Sequence, residues 1–343
     1  GAVSPGEVQV HAGQVWWSES RPDEGGRSVV VCDGVDAVGP ETNVRTAVHE
    51  YGGGAWTVVA GRLIFSEFSD QRLYRQEVAG SLTALTPEPE EPRGLRYADG
   101  CPTPDDRWLV CVRERHEVSV VEPVNEIVAV ALDGSQEVRV LVEGPDFVSN
   151  PRVSPDGCRL CWLQWDHPDL PWDNTELWVA DFDDGVLSNQ RLVAAEGESF
   201  FQPAWSPQGV LHVVTDRDNW WHLYRVEGDQ LRQLTFGALE VATPQWVFGL
   251  TRYAFVGGEV WVAFTQEGTD HLGVVSADGQ LRRVETTASS INSLAACGDG
   301  VAAVLASFGE EPAVVLVQKG ETQVLSTRRD LGLDHSWFPQ PEM

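Results

Sequence analysis

Phe200-Phe201-Gln202-Pro203-Ala204-Trp205-Ser206-Pro207-Gln208-Gly209, followed by Val210-Leu211-His212-Val213-Val214-Thr215, decides the fold. Two short runs rich in aromatic and β-branched residues flank a Ser-Pro-Gln-Gly turn. Its Pro and Gly supply the fixed and the positive φ that a tight turn needs. Asp216-Arg217-Asp218 turns the chain again before a third run at 221–226, and Glu227-Gly228-Asp229 turns it before a fourth at 230–234. Four short strands joined by tight turns predict an antiparallel meander, the unit of a β-propeller blade.

The same turn recurs on either side. Asn150-Pro151-Arg152-Val153-Ser154-Pro155-Asp156-Gly157 is the nearest copy, and weaker ones end at Gly13, Gly61, Asp106, Gly258 and Gly300. With Gly209 these make seven copies, about 48 residues apart, which is a propeller period. Helical periodicity is almost absent. The predicted fold is therefore all-β: a seven-bladed β-propeller over 1–336, with four antiparallel strands per blade. The first window supplies runs at 7–10, 14–19 and 28–32 and a poor fourth strand before Val48. The last supplies 291–296, 301–307, 313–317 and 322–326. Each end fills its own blade, so the ring is expected to close without strand exchange.

Composition narrows the function. The chain has 343 residues, with 24 Lys+Arg against 52 Asp+Glu and a net charge of −28. That charge opposes nucleic-acid binding, which needs clustered cations. Lys319 is the only lysine, which removes any phosphate-loop motif. The longest apolar runs, 127–132 and 301–306, are far shorter than the roughly 20 residues of a membrane helix. The six cysteines sit mostly in apolar runs and read as reduced, buried residues, which leans towards a cytoplasmic location. Cys158 and Cys161 have C-x-x-C spacing without a second pair, and residues three apart on a strand face opposite ways. No metal site and no cofactor are expected. The start at Gly1-Ala2-Val3 without an initiator Met, and the Pro-rich end at 337–343, read as the edges of a domain cut from a longer chain.

Two copies carry insertions: a charged stretch at 113–125, and Trp165-Asp166-His167-Pro168-Asp169-Leu170-Pro171-Trp172-Asp173 between the second and third strands of blade 4. Loop decoration on a repeat scaffold is where binding usually resides. Trp165, His167, Trp172 and Asp173 therefore either line a binding face or form a self-packed loop. Arg113 and Arg115 read as a surface ion-pair ladder or as part of a domain interface. Glu50 precedes three glycines in a loop between blades 1 and 2. Read from the loop alone, it is a turn residue capping backbone amides or a carboxylate that meets a partner brought close by the glycines.

These segments carry a resemblance. Val48-His49-Glu50-Tyr51-Gly52-Gly53-Gly54, Arg72-Leu73-Tyr74, Val112-Arg113-Glu114-Arg115-His116, Trp165-Asp166-His167-Pro168 with Pro171-Trp172-Asp173-Asn174-Thr175-Glu176-Leu177-Trp178, and Gln202-Pro203-Ala204-Trp205-Ser206-Pro207 with Asp216-Arg217-Asp218-Asn219-Trp220-Trp221-His222-Leu223-Tyr224 together resemble the N-terminal propeller of prolyl-oligopeptidase-family serine peptidases, on the acylaminoacyl-peptidase and dipeptidyl-aminopeptidase side. The Ser-Pro-Asp-Gly and Asp-Arg…Leu-Tyr segments are shared with other propellers, including the Tol-Pal one. The His-Glu-Tyr-Gly-Gly-Gly and Trp-Asp-His-Pro segments are more specific.

The resemblance implies a partner, a C-terminal α/β-hydrolase domain bearing Ser, Asp and His, with the propeller gating access for short peptides. It also implies that Glu50, Trp172 and Asp173 are substrate-binding candidates and that Trp165, His167, Arg113 and Arg115 are domain-interface candidates. No catalytic residue is expected in this chain, because no G-x-S-x-G nucleophile elbow occurs in it. The end at 337–343 falls where a linker to the hydrolase domain would begin. The alternatives are a free-standing interaction propeller of the Tol type, or a metal-dependent lactonase with Glu, Asn and Asp converging in the channel.

Overall fold

A computed structural model describes residues 2–77, 80–117, 121–194, 197–276, 279–327, 332 and 337. Blade 5 follows its sequence pattern within a residue or so: strands Phe200–Trp205, Leu211–Thr215, His222–Glu227 and Gln230–Gln233 pair in order. Six further four-stranded antiparallel sheets repeat the plan at 4–36, 56–84, 95–143, 147–194, 253–284 and 290–324, numbered blades 1–4, 6 and 7 in chain order. The architecture is a seven-bladed β-propeller.

The apolar runs are buried between blades rather than inside one central core. Val59, Leu85, Leu109 and Val130 pack blade 2 on blade 3, and Cys161, Leu177, Phe200 and Val213 pack blade 4 on blade 5. Blades 1, 2 and 7 share one cluster, in which Val8, Trp17, Phe65, Val304 and Val314 meet. Polar staples reinforce this ring. Several first strands bulge where a non-glycine residue takes positive φ, at Asp99, Asn150, Gln202 and Ser293. The bulges bring polar side chains to neighbouring blades: Asp99 accepts from the Asn150 amide at 2.8 Å, Gln202 from the Arg252 amide at 2.6 Å, and Ser293 Oγ from the Val8 amide at 2.9 Å.

The Val8–Ser293 bond crosses the seam between the first and last blades. Strand Ser4–His11 stays in blade 1 and strand Glu321–Val324 in blade 7, so closure uses no exchanged strand. The fourth strand of blade 1 is two residues, Val35–Asp36.

The charged stretch at 113–125 is a shorter insertion than expected, since only 116–123 lies between strands. Strand Trp108–Arg115 runs through its first part and strand Val124–Ala131 takes up its end, with Arg113 opposite Glu126 and Glu114 opposite Asn125. Ion pairing lets these polar residues sit in buried strand positions: Arg113 donates to Glu126 at 2.7 Å. Residues 118–120 of that stretch, and 338–343 of the expected linker, lie outside the described residues. Cys158 is exposed in a turn while Cys161 is buried, and all six cysteines are free. No helix among the described residues is long and apolar enough to cross a membrane.

Candidate functional site

Meander topology sorts the connections onto two faces. The turns between first and second strands lie on one face. The loops between second and third strands, the links between blades, the start of the first strand and the end of the last lie on the other. On the turn face, Val58, Pro104, Pro155 and Trp205 surround a cavity of about 380 Å³. The link face is closed differently. Its two longest links, 37–55 and 234–252, come from opposite sides of the ring and meet. Gly53 bridges Phe248 in parallel fashion, and the Phe248 amide donates to Gly52 O at 2.9 Å.

Three glycines make this crossing possible. A Cβ on Gly53 would lie 2.3 Å from Phe248 O, and one on Gly54 would lie 2.9 Å from Phe248 Cβ; both positions have positive φ. Gly54 is also tied into the ring: its amide donates to Glu7 Oε1 at 2.6 Å, and its carbonyl accepts from the Asp99 amide at 2.8 Å.

His49 is fixed by blade 3. Its amide donates to Glu114 Oε2 at 2.7 Å, and its Nε2 lies 3.1 Å from Asn125 Oδ1. Asn125 gives its own Nδ2 hydrogen to Asp146 O, so Oδ1 is the acceptor and His49 Nε2 carries the proton. Burial pushes the His49 pKa below its ordinary value, against the opposing pull of Glu114, and keeps the ring neutral. The ring packs on Phe147, Trp165 and Phe248, with centroids 5.2, 6.0 and 4.8 Å away.

The loop between strands Arg159–Trp165 and Glu176–Asp183 forms the adjoining wall. Trp165 stacks on Phe147 at 5.4 Å, and both the amide and Nδ1 of His167 bond Asp146 Oδ2. The His167–Pro168 peptide is cis. Asp173 accepts from the Leu170 amide at 3.0 Å, which fixes the turn that presents Trp172. Trp172 meets Trp246 of the second long link at 4.6 Å, and Trp246 meets Tyr51 at 5.9 Å. His49, Phe147, Trp165, Trp172, Trp246 and Phe248 enclose a cavity of about 210 Å³.

The structure therefore brings Trp165, His167 and Trp172 together at one cavity, while Asp173 acts in the turn beneath it. Glu50 stands near the rim with its side chain 82% exposed and Arg96 Nη1 at 3.5 Å. Among the described residues its carboxylate caps no backbone amide. Arg113 and Arg115 are engaged within the protein: Arg113 pairs with Glu126, and Arg115 reaches Glu117, Glu126 and Glu143. Sequence reasoning missed Phe147, Trp246 and Phe248. The usable signal was link length, since 234–252 is too long for a simple step between blades and carries three aromatics, Phe236, Trp246 and Phe248.

No protein-family profile and no curated protein matches the chain. Solved structures do. A puromycin-hydrolysing peptidase of Mycobacterium tuberculosis is 32% identical, with a TM-score of 0.91 over 99% of this chain and 56% of that one. A puromycin hydrolase gives 32% identity and a TM-score of 0.92 over the same shares. This chain resembles the propeller portion of prolyl oligopeptidase-family peptidases. It spans little more than half the length of these relatives. Prolyl oligopeptidase B of Galerina marginata, 11% identical with a TM-score of 0.67, shares the propeller fold. Among the described residues no group of three His, Cys, Asp or Glu side chains is placed to hold a metal ion.

Proposed function

We propose that this chain is the propeller portion of a serine peptidase, and that an α/β-hydrolase portion covers the link face and admits only short peptides. One observation carries the reading. The start of strand Ser4–His11 and the end of strand Glu321–Val324 lie on the same face as the aromatic cavity, so a portion joined through either end strand meets that face first. Contact between Gly53 and Phe248 supports the gating part: the long links cross the ring on this face, so substrate reaches the cavity from between the two portions. Of the acylaminoacyl- and dipeptidyl-aminopeptidase side of the family, the dipeptidyl-aminopeptidase reading is the one that an exposed Glu50 supports, as a carboxylate that meets a substrate amine beside its Arg96 contact. Six free cysteines support a cytoplasmic setting.

Acyl-enzyme chemistry belongs to the hydrolase portion in this reading, and the propeller supplies binding and exclusion. The full-length polypeptide should hydrolyse short peptides and aminoacyl amides such as puromycin, lose activity to a serine-directed phosphonate, and cut long polypeptides poorly. This chain alone should cleave none of them. Phosphonate-sensitive cleavage by the chain alone, or no serine-type hydrolysis by the full polypeptide, contradicts the proposal.

A further inference from the structure

We infer that Arg45 and Arg93, held over the ring of Phe68 on the link face, form a site for the C-terminal carboxylate of a short peptide substrate. This rests on the peptidase reading above and adds to it a contact for the far end of the substrate; none of the three residues lines the aromatic cavity.

Topology places the cluster. Arg45 belongs to the link 37–55, Phe68 to the loop between strands Arg62–Ser66 and Leu73–Gln76, and Arg93 to the link 85–94, so all three stand on the link face. Backbone bonds fix link to loop: the Arg45 amide donates to Ser66 O at 3.1 Å and the Phe68 amide to Asn43 O at 2.9 Å. The guanidinium carbons of Arg45 and Arg93 lie 4.8 and 4.6 Å from the centre of the Phe68 ring. An aromatic ring attracts and orients both cations without consuming their N–H donors. Arg93 also holds a positive φ of 60°, a backbone strain that the surrounding fold must support.

Charge gives the site its chemistry. Acidic residues outnumber basic ones 52 to 24, and Arg21, Arg96, Arg113, Arg217 and Arg252 each meet a carboxylate. Arg45 and Arg93 meet none among the described residues, and neither side chain donates a hydrogen bond there. The nearest carboxylates of the loop are taken: Glu67 accepts from the Asn43 and Ser69 amides, and Asp70 from Tyr74 Oη and the Arg72 amide. Arg93 Nε is buried without an acceptor, an unmet donor that an incoming oxyanion would satisfy. A chain of net charge −28 repels the carboxylate that every short peptide acid carries, so taking one in needs a local pair of free cations. Reach fits as well. Glu50, the proposed contact for a substrate amine, follows Arg45 by five residues, so their Cα atoms are at most about 18 Å apart, a span for a peptide of roughly three to five residues.

The test uses the full-length polypeptide with tri-, tetra- and pentaalanine, each as the free acid and as the C-terminal amide. For at least one length the wild type should favour the acid about fivefold or more in kcat/KM, and added salt should shrink that preference. Arg45→Ala should lower the acid value about fivefold, mainly through KM, and leave the amide value within twofold; Arg45→Lys should restore part of the preference. Arg45 is exposed, so these variants should keep the wild-type melting temperature. Arg191→Ala removes an equal charge from the exposed outer strand Val186–Ala194 of blade 4 and should change neither value. No acid preference at any length, equal losses for acid and amide in Arg45→Ala, or the same loss in Arg191→Ala would overturn the inference with the peptidase reading intact. Equal losses would assign Arg45 to contact with the hydrolase portion. If the polypeptide shows no serine-type hydrolysis, the peptidase reading fails separately. Calorimetric titration of the full-length polypeptide with the same acids and amides then decides this one: acid-selective binding lost in Arg45→Ala supports it, and its absence overturns it.

Discussion

Gly53 and Phe248 join their backbones across the link face, and a methyl group on Gly53 would stand 2.3 Å from Phe248 O. This one contact ties the link between blades 1 and 2 to the link between blades 5 and 6. It also sets the floor on which His49 and Phe248 form the cavity. The contact explains why the His-Glu-Tyr segment runs into three glycines: each must take positive φ against a close neighbour.

Gly53→Ala should therefore cost about 2–4 kcal/mol, since it combines left-handed strain with a backbone clash. Gly61→Ala is the control, because that position also has positive φ but meets nothing within 4 Å. It should cost only about 1 kcal/mol. Urea denaturation of both variants measures the difference. Equal costs would mean that the contact across the ring carries no weight.

Glu7, half-buried near Asp99, accepts the Gly54 amide. Burial raises its pKa from 4.5 to about 7, the Gly54 bond lowers it in part, and the Asp99 charge adds to the rise. Between those two values the native state holds a proton that the unfolded chain has released. The Glu7 contribution to stability is therefore full below about pH 4.5, falls as pH rises, and is lost above about pH 7, by at most about 3 kcal/mol. Glu7→Gln keeps an acceptor for Gly54 and removes the titration. The stability of this variant relative to wild type should rise across that window. A difference that stays flat from pH 4.5 to 8 would place the proton elsewhere.

Propeller periodicity was legible because each turn is local. Ser206-Pro207-Gln208-Gly209 needs only its own Pro and Gly to bend, and the apolar runs beside it need only alternate. The aromatic loop from Trp165 to Asp173 was legible as a candidate because too many rings fall in it for a hairpin tip. Trp246 and Phe248 were not, because their partners Trp172, Tyr51 and Gly53 are far away in the chain and a bridge between links leaves no period. The two ends of the stretch from Arg113 to Asn125 misled for another reason. Glu114, Asn125 and Glu126 are buried strand residues, and partners brought by the fold make that burial tolerable: Arg96 and His116 for Glu114, His49 and the Asp146 carbonyl for Asn125, and Arg113 for Glu126.

Trp172→Ala in the full-length polypeptide should reduce turnover of short peptides about tenfold while lowering the melting temperature by no more than about 2 °C. Trp172 is only half-buried and rests on Trp246, so its loss empties a wall of the cavity without opening a blade core. Steady-state kinetics and thermal melts on the same preparation check this. A large fall in melting temperature with unchanged turnover would make the loop a structural element alone.

The most direct measurement is a structure of the full-length polypeptide with its nucleophile trapped by a serine-directed phosphonate. The account predicts that the modified serine opens onto the link face, with Tyr51, Trp172 and Trp246 lining the space between the two portions. A serine facing the turns around Pro104 and Pro155, or the outer rim of the blades, would contradict it.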